Sequence, residues 1–120
     1  MTRTRSGTVY DAGDLLLVPF PFTDLSSNKL RPVLALTAPD AQGDFTACPV
    51  TSRNRWTIAR PLLPTDMISG SLPRASWVRT DHVVTLHLDL VVKKFGSVTE
   101  TYRSGIVDDL CRVLRSSSGL

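Results

Sequence analysis

The sequence is divided into short apolar runs by proline, glycine and polar turn residues as far as Thr99, where the pattern changes. Runs of about four to eight residues between turn signals are typical of buried strands. Pro19 and Pro21 must end regular pairing near Phe20, because proline cannot donate to a ladder. Segment 64–73 is expected to be irregular, with one short helical turn. The predicted strands lie within Leu15–Phe20, Val33–Leu36, Phe45–Val50, Trp56–Leu63, Ala75–Arg79, Val83–Leu86 and Val91–Val98. Ala75–Arg79 and Val83–Leu86 form either one strand or two short ones around residues 80–82.

The last segment has a helical pattern instead. Thr99 is a suitable N-cap, and Glu100 puts a carboxylate in the first turn, where it favours the helix dipole. Gly105 weakens a helix by about 1 kcal/mol relative to alanine, so we expect close packing against it. The sequence therefore predicts a mainly β (α+β) fold: a strongly bent sheet or small barrel of about five to seven strands with a C-terminal helix. The apolar residues at helical spacing are Tyr102, Ile106, Leu110, Val113 and Leu114.

The chain has 120 residues, of which 42% are hydrophobic and 21% charged, as in one globular domain. Residues 1–12 are predicted to be a flexible arm, 13–115 the folded domain and 116–120 a polar tail. A domain of this size gains from further burial, which favours a homodimer. The sequence shows neither an apolar run of about 18 residues nor a signal-peptide pattern, so we expect a cytoplasmic protein without membrane contact.

The cysteines and the net charge say less about the function of the protein. Cys48 and Cys111 lack the neighbours of a disulfide scaffold or a zinc site, so both are expected to be buried free thiols. The net charge is +3, and eleven Arg stand against three Lys. Arginine binds phosphate in a bidentate manner, but charge alone favours nucleic acid only weakly.

Two polar residues stand at the ends of neighbouring apolar runs. Arg31 precedes Pro32 at the second run, and Thr51 ends the third, twenty positions later (51 − 31). Each alone would be ordinary, a solvated strand-end charge or a turn hydroxyl. Together, on neighbouring strands, a guanidinium and a hydroxyl suit a phosphate ester.

Five blocks carry a family resemblance. In order they are GDLLLVPFPFTD, KLRPVLAL, ACPVTSR, SWVRTDHVVTL and KKFGSVTETY, and they extend from Gly13 to about Leu114. This chain resembles the MazF/PemK family of toxin endoribonucleases. The resemblance implies an SH3-like small barrel with a C-terminal helix that forms a homodimer. It also implies cleavage of single-stranded RNA, often at short specific sequences, without a metal or cofactor. A cognate antitoxin would hold the enzyme inactive, and DNA would be bound only indirectly, through the antitoxin complex.

The resemblance assigns roles to particular residues. The family's catalytic Arg and Thr match Arg31 and Thr51, and its RNA-site loop matches roughly Thr23–Leu30. Asn28 and Lys29 of this loop are predicted to contact RNA, and Ser52 and Arg53 to hold flanking phosphates. Arg79 is predicted to contact a base together with Trp77, although a tryptophan in a small β-domain is more often part of the core.

The chemistry suits these residue types. Attack by the 2′-hydroxyl gives a phosphorane with added negative charge, then a 2′,3′-cyclic phosphate and a 5′-hydroxyl. Arg31 would stabilise this charge, and Thr51 would donate a hydrogen bond to a phosphoryl oxygen. Arginine stays protonated, so another group must take the 2′-hydroxyl proton. Asp24, Asp81 and His82 are candidates, and we leave this base unassigned.

Two other functions remain open at this point. The related CcdB proteins share the barrel but poison DNA gyrase by binding it, and such a toxin needs neither Arg31 nor Thr51. An SH3-like interaction module without activity would tolerate the loss of both. The presence of both residues favours the nuclease.

Overall fold

The computed structural model describes residues 9–19, 29–53 and 58–116. Within these ranges the chain forms one antiparallel, curled sheet of eight strands and one helix, which confirms the predicted fold class. In the described part of the chain, no helix has the length and apolar character needed to cross a membrane. The elements are β1 (Asp14–Pro19), β2 (Leu30–Ala35), β3 (Asp44–Thr51), β4 (Ala59–Leu62), β5 (Met67–Gly70), β6 (Ser76–Arg79), β7 (Val84–His87), β8 (Lys93–Val98) and α1 (Glu100–Ser116).

Strand β3 organises the sheet because it pairs along both of its edges. One edge pairs with β2, and the other pairs first with β7 and then with β6. The order across the sheet is β4-β6-β3-β2-β1-β8-β5, with β7 beside β3. Strands β4 and β5 are therefore the two edges of a half-barrel. Pro61 lies in the edge strand β4, where its missing N–H is tolerated.

Both faces of the central strands are buried, because alternate residues enter two separate apolar clusters. Leu34 of β2 belongs to one cluster and its neighbour Val33 to the other. The cluster under the helix, here the helix-side core, comprises Leu15, Leu34, Leu36, Cys48, Val50, Leu62, Val78, Val98, Tyr102, Ile106 and Leu110. The cluster on the other face, here the opposite core, comprises Tyr10, Leu16, Val18, Val33, Ala35, Phe45, Ala47 and Leu88.

The helix begins as predicted. The hydroxyl oxygen of Thr99 accepts the backbone N–H of Tyr102 at 3.1 Å, which is the geometry of an N-cap. Tyr102, Ile106 and Leu110 are buried, whereas Leu114 is 63% exposed. The phenol of Tyr102 donates to the carbonyl of Pro61 at 3.0 Å, so the helix also holds the edge strand β4. Burial raises the pKa of Tyr102 well above its usual range.

The close packing expected at Gly105 is confirmed. The guanidinium of Arg60 lies against Gly105, in space that an alanine Cβ would enter. Arg60 Nε donates to Asp109 Oδ2 at 3.0 Å, and the guanidinium lies 6.0 Å from the centroid of the Tyr102 ring. Glycine therefore lets β4 reach the helix surface, which accounts for a residue that the helix alone would disfavour.

One element, β5, differs from the sequence prediction, and two others are compared with it here. The helical turn in segment 64–73 is present at Pro64–Asp66, but strand β5 follows it within the segment predicted to be irregular. Strand β5 is short, and its pairing with β8 shifts register, so no alternating pattern marks it. Of the two alternatives for segment 75–86, the structure has two short strands: residues 80–82 separate β6 from β7, which pair with different parts of β3. Strand β4 begins only at Ala59, and residues 54–57 lie outside the described ranges.

The two cysteines lie in different environments. Cys48 is buried in the helix-side core, as predicted. Cys111 is exposed, so the prediction of a buried thiol there was wrong. It follows the buried Leu110 on α1, and one helical step turns the next residue away from the sheet.

The buried thiol predicts a specific dependence of stability on pH. Burial, with a smaller effect from the Asp81 carboxylate, raises the pKa of Cys48 from 9.0 to about 12. In the unfolded chain the thiol ionises near its ordinary pKa, while the folded protein keeps its proton. The resulting stabilisation is complete below pH 9 and is lost as the pH rises toward 12, by up to about 1.4 kcal/mol per pH unit. Urea unfolding between pH 8 and pH 10 should therefore show falling stability, with a shallower fall in Cys48→Ala. Equal slopes in the two proteins would contradict this interpretation.

Candidate active site

Arg31 and Thr51 lie on neighbouring strands, as their spacing predicts. The β2–β3 ladder has Val33 opposite Pro49, and Arg31 and Thr51 each lie two residues beyond this pair, toward the same end. On its other side, Arg31 of β2 is opposite Val18 of β1. On the other edge of β3, Thr51 is opposite Trp77 of β6. The two predicted catalytic residues therefore lie just beyond the last β2–β3 pair.

The alternation of the strands places both side chains on one face of the sheet. Val33 and Ala47, two and four residues away respectively, belong to the opposite core. Side chains two residues apart share a face, so Arg31 and Thr51 continue this face beyond the end of the opposite core. Both residues are half-buried, and the Nε atom of Arg31 is shielded from solvent. The face on which they lie points away from α1.

The hydroxyl of Thr51 is held by the turn that follows β3. Its oxygen accepts the backbone N–H of Arg53 at 3.0 Å, and the hydroxyl also lies 3.3 Å from the Arg53 carbonyl oxygen. The first contact orients the oxygen, and the second is long for an O–H donor. The proton can therefore turn toward a better acceptor, such as a phosphoryl oxygen, without loss of the turn. Ser52 and Arg53 are exposed beside it.

Arg79 lies on the same face and is engaged with a carboxylate. It is two residues from Trp77, which is opposite Thr51, so all three side chains share one face. Arg79 Nε and Nη2 donate to the two Asp81 carboxylate oxygens at 3.1 and 3.0 Å. The two side chains are 22% and 24% exposed. This bidentate pair was not predicted from the sequence, although the spacing R-x-D at a strand end is a signal that could have indicated it.

Trp77 lies outside both cores in the described part of the chain, and its side chain is half-buried. The residues on either side, Ser76 and Val78, are the buried ones on β6. Across the sheet, Trp77 is opposite Thr51 on one side and Pro61 on the other. The expectation that a tryptophan in such a domain belongs to the core is therefore not met here.

The structure describes only some of the other residues that were predicted to contact RNA or to act as the base. Lys29 is exposed directly before β2, whereas Asn28, together with the candidate base Asp24, lies outside the described residues. His82 is half-buried after the Arg79–Asp81 pair. Among the side chains that the structure describes, no three His, Cys, Asp or Glu residues are grouped so that they could hold a metal ion.

Comparison with known proteins identifies the family. Residues 11–114 match the model of the PemK-like, MazF-like toxins of type II toxin–antitoxin systems. Because this match spans most of the chain, the protein belongs to that family. It is a toxin of the MazF/PemK type.

Solved structures share its fold at low sequence identity. MazF from Deinococcus radiodurans (Form-I) is 24% identical, with 90% of this chain and 98% of that chain covered, at a TM-score of 0.69. A mycobacterial endoribonuclease in complex with its cognate antitoxin is 19% identical, with 88% and 95% covered, at a TM-score of 0.69. A MazE–MazF structure (Form-II) from Deinococcus radiodurans is 22% identical, with 90% and 97% covered, at a TM-score of 0.68. No curated protein matches the sequence.

Proposed function

We propose that this toxin is a metal-independent, sequence-specific endoribonuclease that cleaves single-stranded RNA. The observation that carries the proposal is the placement of Arg31 and Thr51 on one face of neighbouring strands, in a chain of the MazF/PemK family. A guanidinium fork and an oriented hydroxyl are suitable donors for the oxygens of a phosphodiester. RNA supplies its own nucleophile, so no further nucleophile is required.

The reaction would proceed by transesterification. The 2′-oxygen attacks phosphorus while its proton passes to a base, and the bond to the 5′-oxygen breaks as that oxygen receives a proton. The products are a 2′,3′-cyclic phosphate and a 5′-hydroxyl. Arg31 stabilises the negative charge of the phosphorane, and Thr51 donates a hydrogen bond to one of its oxygens. These preorganised donors act mainly on the transition state, where the charge is greatest.

Asp81 is our preferred base among the described candidates. Arg79 fixes the orientation of its carboxylate through two hydrogen bonds, beside the face that carries Thr51. His82 directly follows it and is the alternative. Ser52, Arg53, Lys29 and Asn28 would hold the RNA on either side of the cut through its phosphates.

Removal of either donor should strongly reduce cleavage. RNA ends mapped after brief expression would first give the recognition sequence, and an oligonucleotide with this sequence then serves as substrate. Arg31→Ala and Thr51→Val should each lower the cleavage rate by about 10²–10³-fold, because each removes a transition-state donor. Thr51→Ser keeps the hydroxyl and should keep most of the activity. Cleavage should persist in EDTA and stop when the sugar at the cut is 2′-deoxy. Full activity without Arg31 and Thr51 would rule out this site.

The two candidate bases are distinguished by the loss of cleavage rate. Asp81→Asn should lower the rate by about 10²–10⁴-fold, because the amide cannot accept the proton. His82→Gln should leave the rate largely unchanged. Arg79→Gln is the control for loss of the ion pair itself, and it should retain more of the rate than Asp81→Asn. If instead His82→Gln causes the large loss, the base is His82.

A cognate antitoxin is expected to inhibit the enzyme, and the antitoxin complexes among the structural neighbours support this expectation. The product of an adjacent upstream gene, added in equimolar amount to the toxin homodimer, should suppress cleavage of the mapped oligonucleotide. The toxin alone should not shift promoter DNA, whereas the complex should. Undiminished cleavage with that protein bound would count against the assignment.

An RNA substrate also implies that the toxin acts in the cytoplasm. Neither the family match nor the solved structures support the gyrase-binding alternative.

A further inference from the structure

An apolar cleft of about 470 Å³ opens between the two edges of the half-barrel. One wall is formed by the end of β4 and the turn after it, and the other by the segment that joins β5 to β6. Its volume lies within the range of roughly 300–1,000 Å³ that is usual for small-ligand sites. The lining residues used here are Pro61, Leu63, Leu72, Arg74 and Trp77.

Trp77 connects this cleft to the candidate active site. It lines the cleft, and its strand places it opposite Thr51 on one side and Pro61 on the other. Neighbouring strands lie about 4.8 Å apart, so Trp77 is one strand spacing from Thr51. The distance suits a base attached to the sugar next to a phosphate held at Thr51. Trp77 is half-buried and belongs to neither core in the described chain.

The charged residues near Trp77 indicate what kind of ligand the cleft could bind. Arg74 lines the cleft and is exposed, and Arg79 lies on the same face of β6 as Trp77. An aromatic platform beside the exposed guanidinium of Arg74 suits a flat ring whose neighbouring group is anionic. A nucleotide has this pattern.

We propose that this cleft binds one nucleobase of the RNA, next to the cut phosphate, with Trp77 as its stacking platform. The proposal rests on the proposed function and extends it to a base subsite beside the cut. Stacking on an aromatic side chain tolerates any base, so this subsite would hold the base without selecting its identity.

Binding of an uncleavable RNA tests the proposal. The probe is the mapped oligonucleotide with a 2′-deoxy sugar at the cut, compared with the same strand made abasic at single flanking positions. Trp77→Ala should weaken binding of the intact strand by roughly 5- to 100-fold, and it should have little effect on the strand that is abasic at the stacked position. Trp77→Phe should retain most of the affinity. Ile68→Ala, which removes an exposed apolar side chain outside the cleft lining, is the matched control and should bind like the wild type.

Fluorescence gives a second measurement that does not depend on the Trp77→Ala protein. The chain has two tryptophans, so Trp56→Phe leaves Trp77 as the sole reporter. Intact RNA should quench its emission, and the abasic strand should not. Equal quenching by both strands, or equal loss of affinity for both in Trp77→Ala, would overturn the subsite.

A change in oligomeric state on Trp77→Ala, with base dependence retained, would instead assign Trp77 to a dimer interface. If the wild type neither binds nor cleaves RNA, it is the proposed function itself that fails.

Discussion

The hydrogen bonds along both edges of β3 are the constraint on which the rest of the structure depends. This strand pairs with β2 through Pro49 along one edge, and its other edge passes from β7 to β6 at Val50. Val50 faces the helix-side core at the point of exchange, while Thr51 faces the other way. The position of the candidate active site therefore depends on the edge of β3 that faces away from β2. If β7 were paired along the whole of that edge, Trp77 of β6 would not lie beside Thr51.

Burial of both faces of the central strands makes this geometry rigid. A shift of one residue in register would exchange the helix-side core for the opposite core and place Arg31 beneath the helix. Such a shift is strongly opposed, because it would bury a guanidinium and expose large apolar side chains. The two apolar cores thus fix the register of the strands that bear Arg31 and Thr51. The face that these two residues share lies where the opposite core ends, so it can meet a ligand without opening the fold.

The Arg79–Asp81 pair shows how a charged face can be ordered and still exchange partners. Ion pairs with this degree of exposure typically contribute about 0–1 kcal/mol, because water and salt screen them. The pair therefore holds Arg79 and Asp81 in place, and little free energy is needed to break it. A phosphate that approached Arg79 would compete with Asp81 for the same donors, which would leave the carboxylate available to accept a proton. An ion pair of this strength can hold both side chains in place before a ligand binds and still break when a phosphate binds Arg79.

By itself, the sequence determined the features that depend on local chemistry. Apolar runs between prolines and glycines indicated the strands, the Thr99 cap and the helical spacing indicated α1, and the twenty-residue separation indicated that Arg31 and Thr51 lie on neighbouring strands. Only the tertiary structure decided the features that depend on contacts between distant segments. Strand β5 exists because β8 supplies its partner, and Gly105 has a packing role because the Arg60 guanidinium lies against it on the helix. Trp77 faces the candidate site rather than a core because its strand pairs with the end of β3. Side-chain alternation is encoded locally, but the face that remains open is set by what packs against the sheet, and that information lies far away in the chain.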